Sequence, residues 1–221
     1  MSTITVPLSS TNRTTLRRKR ERGSTSRGDL YAVLDAGMIC HLGVLLDGSP
    51  HVLPTAYGRI GDTLYLHGSV ANGAFGAADG YAVCVTVTLL DGLVCARSVN
   101  HHSMNYRSAM IFGRAGIVRD EAERLAGLRA ITEHQIPGRW TAAREPNRKE
   151  MARTAVLALP LAEASVKART GGPIDEPEDY SLGFWAGGIP VRTVLGPPEP
   201  DPALPHGLPV PEHIRARATT G

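Results

Sequence analysis

The apolar residues of this 221-residue chain come in short runs, β-branched or alternating, and most are closed by a turn signal. That pattern favours strands over long helices. Residues 81–90, Tyr-Ala-Val-Cys-Val-Thr-Val-Thr-Leu-Leu, have strong strand composition. The following Asp91-Gly92 predicts a turn, after which 93–97 pairs back. Residues 38–46 and 50–57 flank Asp47-Gly48-Ser49 and read as a hairpin, and 58–62 turns the chain into a strand at 63–67. Residues 106–118 read as one long strand that Gly113 and Gly116 bend or bulge. Segments 155–161 and 189–195 add further strands. Helices are expected at 29–36, at 147–153, and from an Asp120 N-cap with Glu123 three residues on to the stop at Pro137-Gly138. Six or seven strands with few helices argue for a mainly β fold, a closed or partly closed antiparallel barrel.

The barrel sequence occupies residues 27–195, with different chemistry on either side. Residues 1–26 form a basic, Ser/Thr-rich extended arm that includes Arg13, Arg17, Arg18, Lys19, Arg20 and Arg22. Residues 196–221 form a Pro-rich C-terminal tail suited to an extended path. The basic arm could hold an anion, but it lacks aromatic partners for base stacking and any DNA-binding motif, which argues against nucleic acid. Packing of the arm on a partner subunit is the expectation. Three cysteines, Cys40, Cys84 and Cys95, are an odd number without metal-ligand spacing and point to the reducing cytoplasm. Neither a bilayer-spanning run nor the basic-then-apolar order of a signal peptide is present, so no membrane association is expected.

Chemistry-bearing residues concentrate in a few places. Gly-x-Ser-x-Gly is absent, which weakens a hydrolase reading. His101 and His102 are adjacent, so on a strand they point to opposite faces, and no metal site is expected. The small residues from His67-Gly68-Ser69 to Asn72-Gly73 follow a strand and precede a short helix, a setting where backbone N–H groups can meet a phosphate. A polar run at 98–108 lies between two apolar strands, where unpaired hydrogen-bonding groups are costly unless a ligand or subunit interface pairs them. Lys167 and Arg169 alternate on one face of an extended segment. Trp185 lies beside a glycine pair and could stack on a planar ring or cap the barrel.

Taken in order, Asp47-Gly-Ser-Pro-His-Val-Leu-Pro-Thr55, Leu64-Tyr-Leu-His-Gly-Ser69, Asp91-Gly-Leu-Val-Cys-Ala-Arg-Ser98, Asn105-Tyr-Arg-Ser-Ala-Met-Ile-Phe-Gly113, Pro137-Gly-Arg-Trp140 and Trp185-Ala-Gly-Gly-Ile-Pro190 resemble the pyridoxamine 5′-phosphate oxidase-like split barrels. The branch most similar contains flavin-nucleotide-binding and nitroimidazole-resistance-related proteins. The resemblance covers roughly residues 12–195. It implies a six-stranded antiparallel Greek-key split barrel that forms a homodimer, with FMN at the subunit interface. Carried over, Val52, Leu53, Pro54, Thr55 and Ala56 line the flavin, and His67, Gly68, Ser69 and Asn72 lie toward its phosphate. Tyr106, Arg107 and Ser108 reach the cofactor from the strand that crosses the interface, and Lys167, Arg169 and Trp185 close the site. The implied activity is hydride transfer through the flavin to or from a small-molecule substrate, with NADH or NADPH as a candidate electron donor; the alternatives are a deazaflavin-dependent reductase and a flavin- or haem-binding protein without turnover. Arg107 is the candidate for stabilising the anionic reduced flavin. Pyridoxamine phosphate oxidation itself is not expected.

One departure from the family pattern matters. Where the family carries an Arg or Arg-Lys pair for the phosphate, this chain has Asn72-Gly73-Ala74. The basic arm, Arg59 or Lys167 substitutes, or FMN binds weakly, or a deazaflavin or haem takes its place.

Overall fold

The computed structural model describes residues 7–219. In chain order the elements are β1 (Gly23–Ser24), α1 (Arg27–Ala36), β2 (Cys40–Leu46), β3 (Ser49–Thr55), β4 (Tyr57–Ile60), β5 (Thr63–Ser69), α2 (Gly73–Ala78), β6 (Ala82–Cys95) and β7 (Ser103–Arg114). They continue with β8 (Gly116–Ile117), α3 (Glu121–Gln135), α4 (Arg148–Arg153), β9 (Thr154–Pro160), β10 (Glu163–Arg169), β11 (Gly187–Pro190) and α5 (Glu212–Thr219). The strands form two antiparallel sheets. One runs β1-β10-β7-β6-β2-β3 with β11 added to β6, and the other runs β4-β5-β9-β8.

Local chemistry explains most of these elements. The β2–β3 hairpin closes on Asp47 and Gly48, both at positive φ (51° and 77°), the two-residue turn whose twist matches that of the strands. Ser26 and Asp120 cap α1 and α3 by accepting from the amides of Asp29 and Glu123. Asn147 and Glu150 make a reciprocal capping box on α4. The buried Tyr57 hydroxyl donates to the carbonyls of Leu34 and Gly37 at 2.6 and 2.8 Å, which satisfies the end of α1 and ties it to β4.

Alternation then builds one shared core. Leu42 and Val44 of β2, Val85 and Val87 of β6, and Ala109 and Ile111 of β7 face Leu64 and Leu66 of β5 and Leu157 and Leu159 of β9. Leu30, Val33 and Leu34 of α1 and Phe75 of α2 plug the same core. Helix α3 packs on the smaller sheet at backbone distance: a Cβ on Gly58 would lie 2.4 Å from the Ala130 carbonyl carbon and the Ile131 nitrogen.

The structure corrects several sequence expectations. Asp91-Gly92 is not a hairpin turn, because β6 runs through it and takes up the extra residue as a bulge between Leu90 and Gly92 opposite β7. Asp-Gly suits either role, and the long β7 partner decides which. The reversal comes later, through a 3-10 turn at Val99–His101, and β7 starts at Ser103. The single strand expected at 106–118 is divided between sheets: β7 pairs with β6 and β10, and β8 pairs with β9. The strand expected at 189–195 is Gly187–Pro190.

The basic arm, from residue 7 onward, packs on its own barrel. Leu8 is 4% exposed within the core, and β1 pairs with β10. Its first six residues lie outside the described residues. The Pro-rich tail is irregular as far as residue 211 and then forms α5, from which Arg217 donates to the Gln135 carbonyl of α3 at 2.9 Å.

Candidate functional site

The expected site residues fall into two sets. The first lies on β3, β5 and the start of α2. Strand β3 is an edge of its sheet, so one row of its backbone groups is unpaired, and Val52 is 66% exposed beside it. Pro54 and Val52 share the outer face, and Leu53 packs against the core. Past Thr55, the chain crosses at Ala56 to the other sheet, and the Thr55 hydroxyl donates to the His67 carbonyl at 3.4 Å. That bond joins the two strand ends. Gly68 is required here, because a Cβ would strike the Phe75 ring at 2.9 Å. The Ser69 hydroxyl accepts from the Ala71 amide, and Asn72 caps α2 by accepting from the Ala74 amide at 3.0 Å. No cation stands among these residues. Partial desolvation lowers the His67 pKa from its ordinary value, although the residue is exposed to solvent.

The second set lies on β7 and β10, which are adjacent strands. Tyr106 stands opposite Arg169, Arg107 opposite Ala168 and Ser108 opposite Lys167. The Ser108 hydroxyl donates to the Lys167 carbonyl at 3.2 Å. Tyr106, Ser108, Lys167 and Arg169 share the outer face, whereas Arg107 points the other way, toward the β6 bulge. There it grips Asp91 with two bonds of 2.7 and 3.0 Å, and this pairing raises the Arg107 pKa. Arg169 is 6% exposed and donates to Asn105 and to the carbonyls of Gly171 and Gly172, so its charge braces a turn. Trp185 is 69% exposed, its indole close over Gly187 at the start of β11.

No hydrogen bond or ion pair joins the two sets among the described residues. In the sheet, β3 is separated from β7 by β2 and β6, a distance of about 14 Å at the usual strand spacing. The outer face between them carries exposed Leu45, Met104 and Met110. Of the cations considered as substitutes for the missing phosphate ligand, Arg59 is engaged elsewhere. It forms bonds of 2.9 Å to both Asp35 oxygens and stacks 4.0 Å over the Tyr31 ring.

Sequence reading missed a feature beside the second set. Arg18, Lys19 and Arg22 of the arm converge with Lys167, His101 and His102 around a cavity of about 610 Å³. Each group stood out in the sequence; only the β1–β10 pairing shows that they meet. On the cavity's far wall is Asp175, whose side chain is fully buried. Burial pushes the Asp175 carboxyl up, but the Arg97 guanidinium at 3.1 Å and the amides of Arg97 and Ser98 together hold it below its ordinary value. His101, Asp175 and Asp179 bring their ligand atoms within 4.8 Å of one another. In this cluster Asp175 is already engaged by the Arg97 guanidinium and by the amides of Arg97 and Ser98. Among the cysteines, Cys40 is buried and its thiol is pushed up to about 12, so it is inert at neutral pH.

A family model described as pyridoxamine 5′-phosphate oxidase matches residues 26–168. The chain belongs to this family. Among solved structures, a flavocytochrome (Anf3) from Azotobacter vinelandii is 42% identical, with a TM-score of 0.91 over 96% of this chain and 99% of that one. An FAD and haem binding protein from Mycobacterium smegmatis is 38% identical, with a TM-score of 0.85 over 89% of this chain and 97% of that one. A 5-nitroimidazole antibiotic resistance protein from Bacteroides thetaiotaomicron, 23% identical with a TM-score of 0.56 over 66% of this chain and 85% of that one, shares the fold. No match was found among curated proteins. The two antiparallel sheets are therefore the split barrel of this family. No helix among the described residues is long and apolar enough to cross a membrane.

Proposed function

We propose that this chain is a flavin-dependent oxidoreductase that works as a homodimer, binds its flavin as FAD, and carries haem as a second redox group. The observation that carries this reading is the 42% identity, over nearly the whole of both chains, to a flavocytochrome. FAD is favoured over the FMN implied by the family resemblance for two reasons. The relative from Mycobacterium smegmatis binds FAD and haem, and Asn72-Gly73-Ala74 offers no cation for a monoester phosphate.

The geometry fits a flavin. The free edge of β3 has unpaired backbone groups that would bond a flavin's polar rim, and the exposed Val52 beside it would give the ring an apolar contact. With the second set about 14 Å away on the same chain, a partner subunit supplies Tyr106, Ser108, Lys167 and Trp185 to complete the pocket, and apolar Leu45, Met104 and Met110 support that contact. Bound there, a flavin supplies hydride and single-electron transfer between a nicotinamide donor and a small-molecule substrate. The Asp91 carboxylate holds the Arg107 guanidinium at the bulge in a bidentate pair, and Arg107 would favour an anionic reduced flavin only on turning from Asp91 to it. For haem, His67 supplies a neutral imidazole with no hydrogen bond among the described residues, the protonation state that iron ligation needs.

The test is the visible spectrum of the purified full-length protein, with mass analysis of the released ligands and sedimentation for subunit number. FAD together with a haem Soret band, lost in His67→Ala, is the expected result. FMN alone, or a deazaflavin, overturns the FAD assignment and leaves the family reading intact. A colourless protein that takes up neither flavin nor haem sinks the proposal.

A further inference from the structure

We infer that the cavity between the N-terminal arm and the β7–β10 end of the barrel binds the diphosphate of an adenine dinucleotide. The inference deepens the flavin reading and rests on it for the identity of the ligand, but its observations are independent. Pairing of Gly23 with Lys167 and Ser24 with Val166 lays the arm along β10. Arg18, Lys19 and Arg22 are thereby carried to the mouth of a cavity that Lys167 enters from the strand. The side chains of Arg18, Lys19 and Lys167 have no ion pair or hydrogen bond among the described residues, and Arg22 reaches only Glu21, at 4.0 Å. Asp175 is consumed by Arg97, which leaves Glu176, 3.8 Å from His101, and Asp179, whose carboxylate lies within 4.8 Å of His101, as the remaining carboxylates nearby. Several cations around a concave space, with so little negative charge opposite, repel one another until an anion arrives.

The backbone supports this assignment. Lys19 sits at φ 54° and ψ 54°, a left-handed conformation that favours glycine, and it lines the cavity from there. Asn100, His102 and Ser103 add neutral hydrogen-bonding groups to the same wall. The volume exceeds what one phosphate needs and suits a diphosphate with part of its ribose. No Phe, Tyr or Trp side chain lines the cavity, which disfavours a platform for stacked nucleic-acid bases. Two dinucleotides carry this chemistry: the flavin itself as FAD, and a nicotinamide electron donor.

The experiment compares the full-length protein as purified with a variant combining Arg18→Gln, Lys19→Gly and Lys167→Met. Two readings are taken, the dissociation rate of the bound flavin and calorimetric titration with ADP. If FAD is the source, the variant releases FAD at least about tenfold faster, the loss of roughly one charge-assisted contact, while ADP fails to bind the wild-type holoprotein. If a nicotinamide dinucleotide is the source, FAD release is unchanged and ADP binds the wild-type holoprotein in a salt-sensitive way that the variant loses. Unchanged FAD release with no ADP binding, or ADP binding equal in both proteins, overturns the inference. A protein that purifies without flavin and takes none up defeats the proposed function alone, because the ADP titration still reads the cavity. The single variant Lys19→Gly separates binding from folding: it raises the thermal midpoint by relieving the left-handed backbone while weakening diphosphate binding, and a destabilised Lys19→Gly protein would count against the strained lysine as a ligand.

Discussion

The β3–β5 face and the arm cavity lie on one small barrel, yet they are built from opposite materials. The first uses backbone: an open strand edge, a glycine pressed on Phe75, and a helix start capped by Asn72, with Arg153 as the neighbouring cation, its carbonyl accepting from the Val70 amide at 3.0 Å. The second uses charged side chains drawn from the arm, the 98–103 link, β10 and the segment after it. A flat neutral ring is suited to the first and a polyanion to the second. Under the proposed reading, positive charge for a phosphate comes from the arm cavity rather than from residues 72–74.

The two regions therefore fail in different ways. The largest effect is expected at Gly68→Val: the added branch collides with Phe75 and pushes α2 from β5, costing about 1–3 kcal/mol of stability by urea denaturation together with loss of bound flavin. Retention of wild-type stability there would show that α2 gives way easily and that the first region is not rigid. Next is Asp175→Asn, which leaves Arg97 without its buried partner. The Asp175 pKa is below its ordinary 3.8 in the fold, so the group stabilises the native state above that pH, and the contribution is lost as pH falls through the folded value. Thermal unfolding from acid to neutral pH should show the variant weaker near pH 7 and with a shallower acid limb. Parallel curves for the two proteins would contradict this assignment.

Smaller effects sharpen the contrast. Raising ionic strength from well below to well above about 0.1 M, where the screening length is about 10 Å, should weaken ligand binding at the arm cavity and leave ring binding at β3 nearly unchanged. Titrations of ADP and of riboflavin against salt read the two separately, and equal slopes would remove the distinction. Smallest is Arg107→Ala, which removes a half-exposed ion pair and should lower stability by less than about 1 kcal/mol, read by the urea midpoint. If Arg107 favours reduced flavin, the same variant lowers the flavin midpoint potential.

Much of the barrel was legible because its signals are local. The Asp47-Gly48 turn, the Asp120 and Asn147 caps, and the alternation in β2, β6 and β9 each depend on residues a few positions apart. Asp91-Gly92 misled because a bulge and a turn use the same residues, and the choice belongs to the partner strand. The site was legible in part. The resemblance brought forward the residues of β3, β5, β7 and β10, but it could not reveal that Arg107 turns away from Tyr106 and Ser108 to pair with Asp91, or that Arg59 is tied to Asp35.

By itself, the sequence determined a mainly β chain with capped helices, a basic arm and a run of polar residues between two core strands. The tertiary structure alone decided that the arm lies on β10, that its cations share a cavity with His101 and Lys167, and that the first set of site residues spans both sheets while the second stands on β7 and β10. The physical reason is distance along the chain. Caps and turns are settled by neighbours within a few residues, whereas the pairing of Gly23 with Lys167 closes a loop of well over a hundred residues and is chosen by the packing of the whole core.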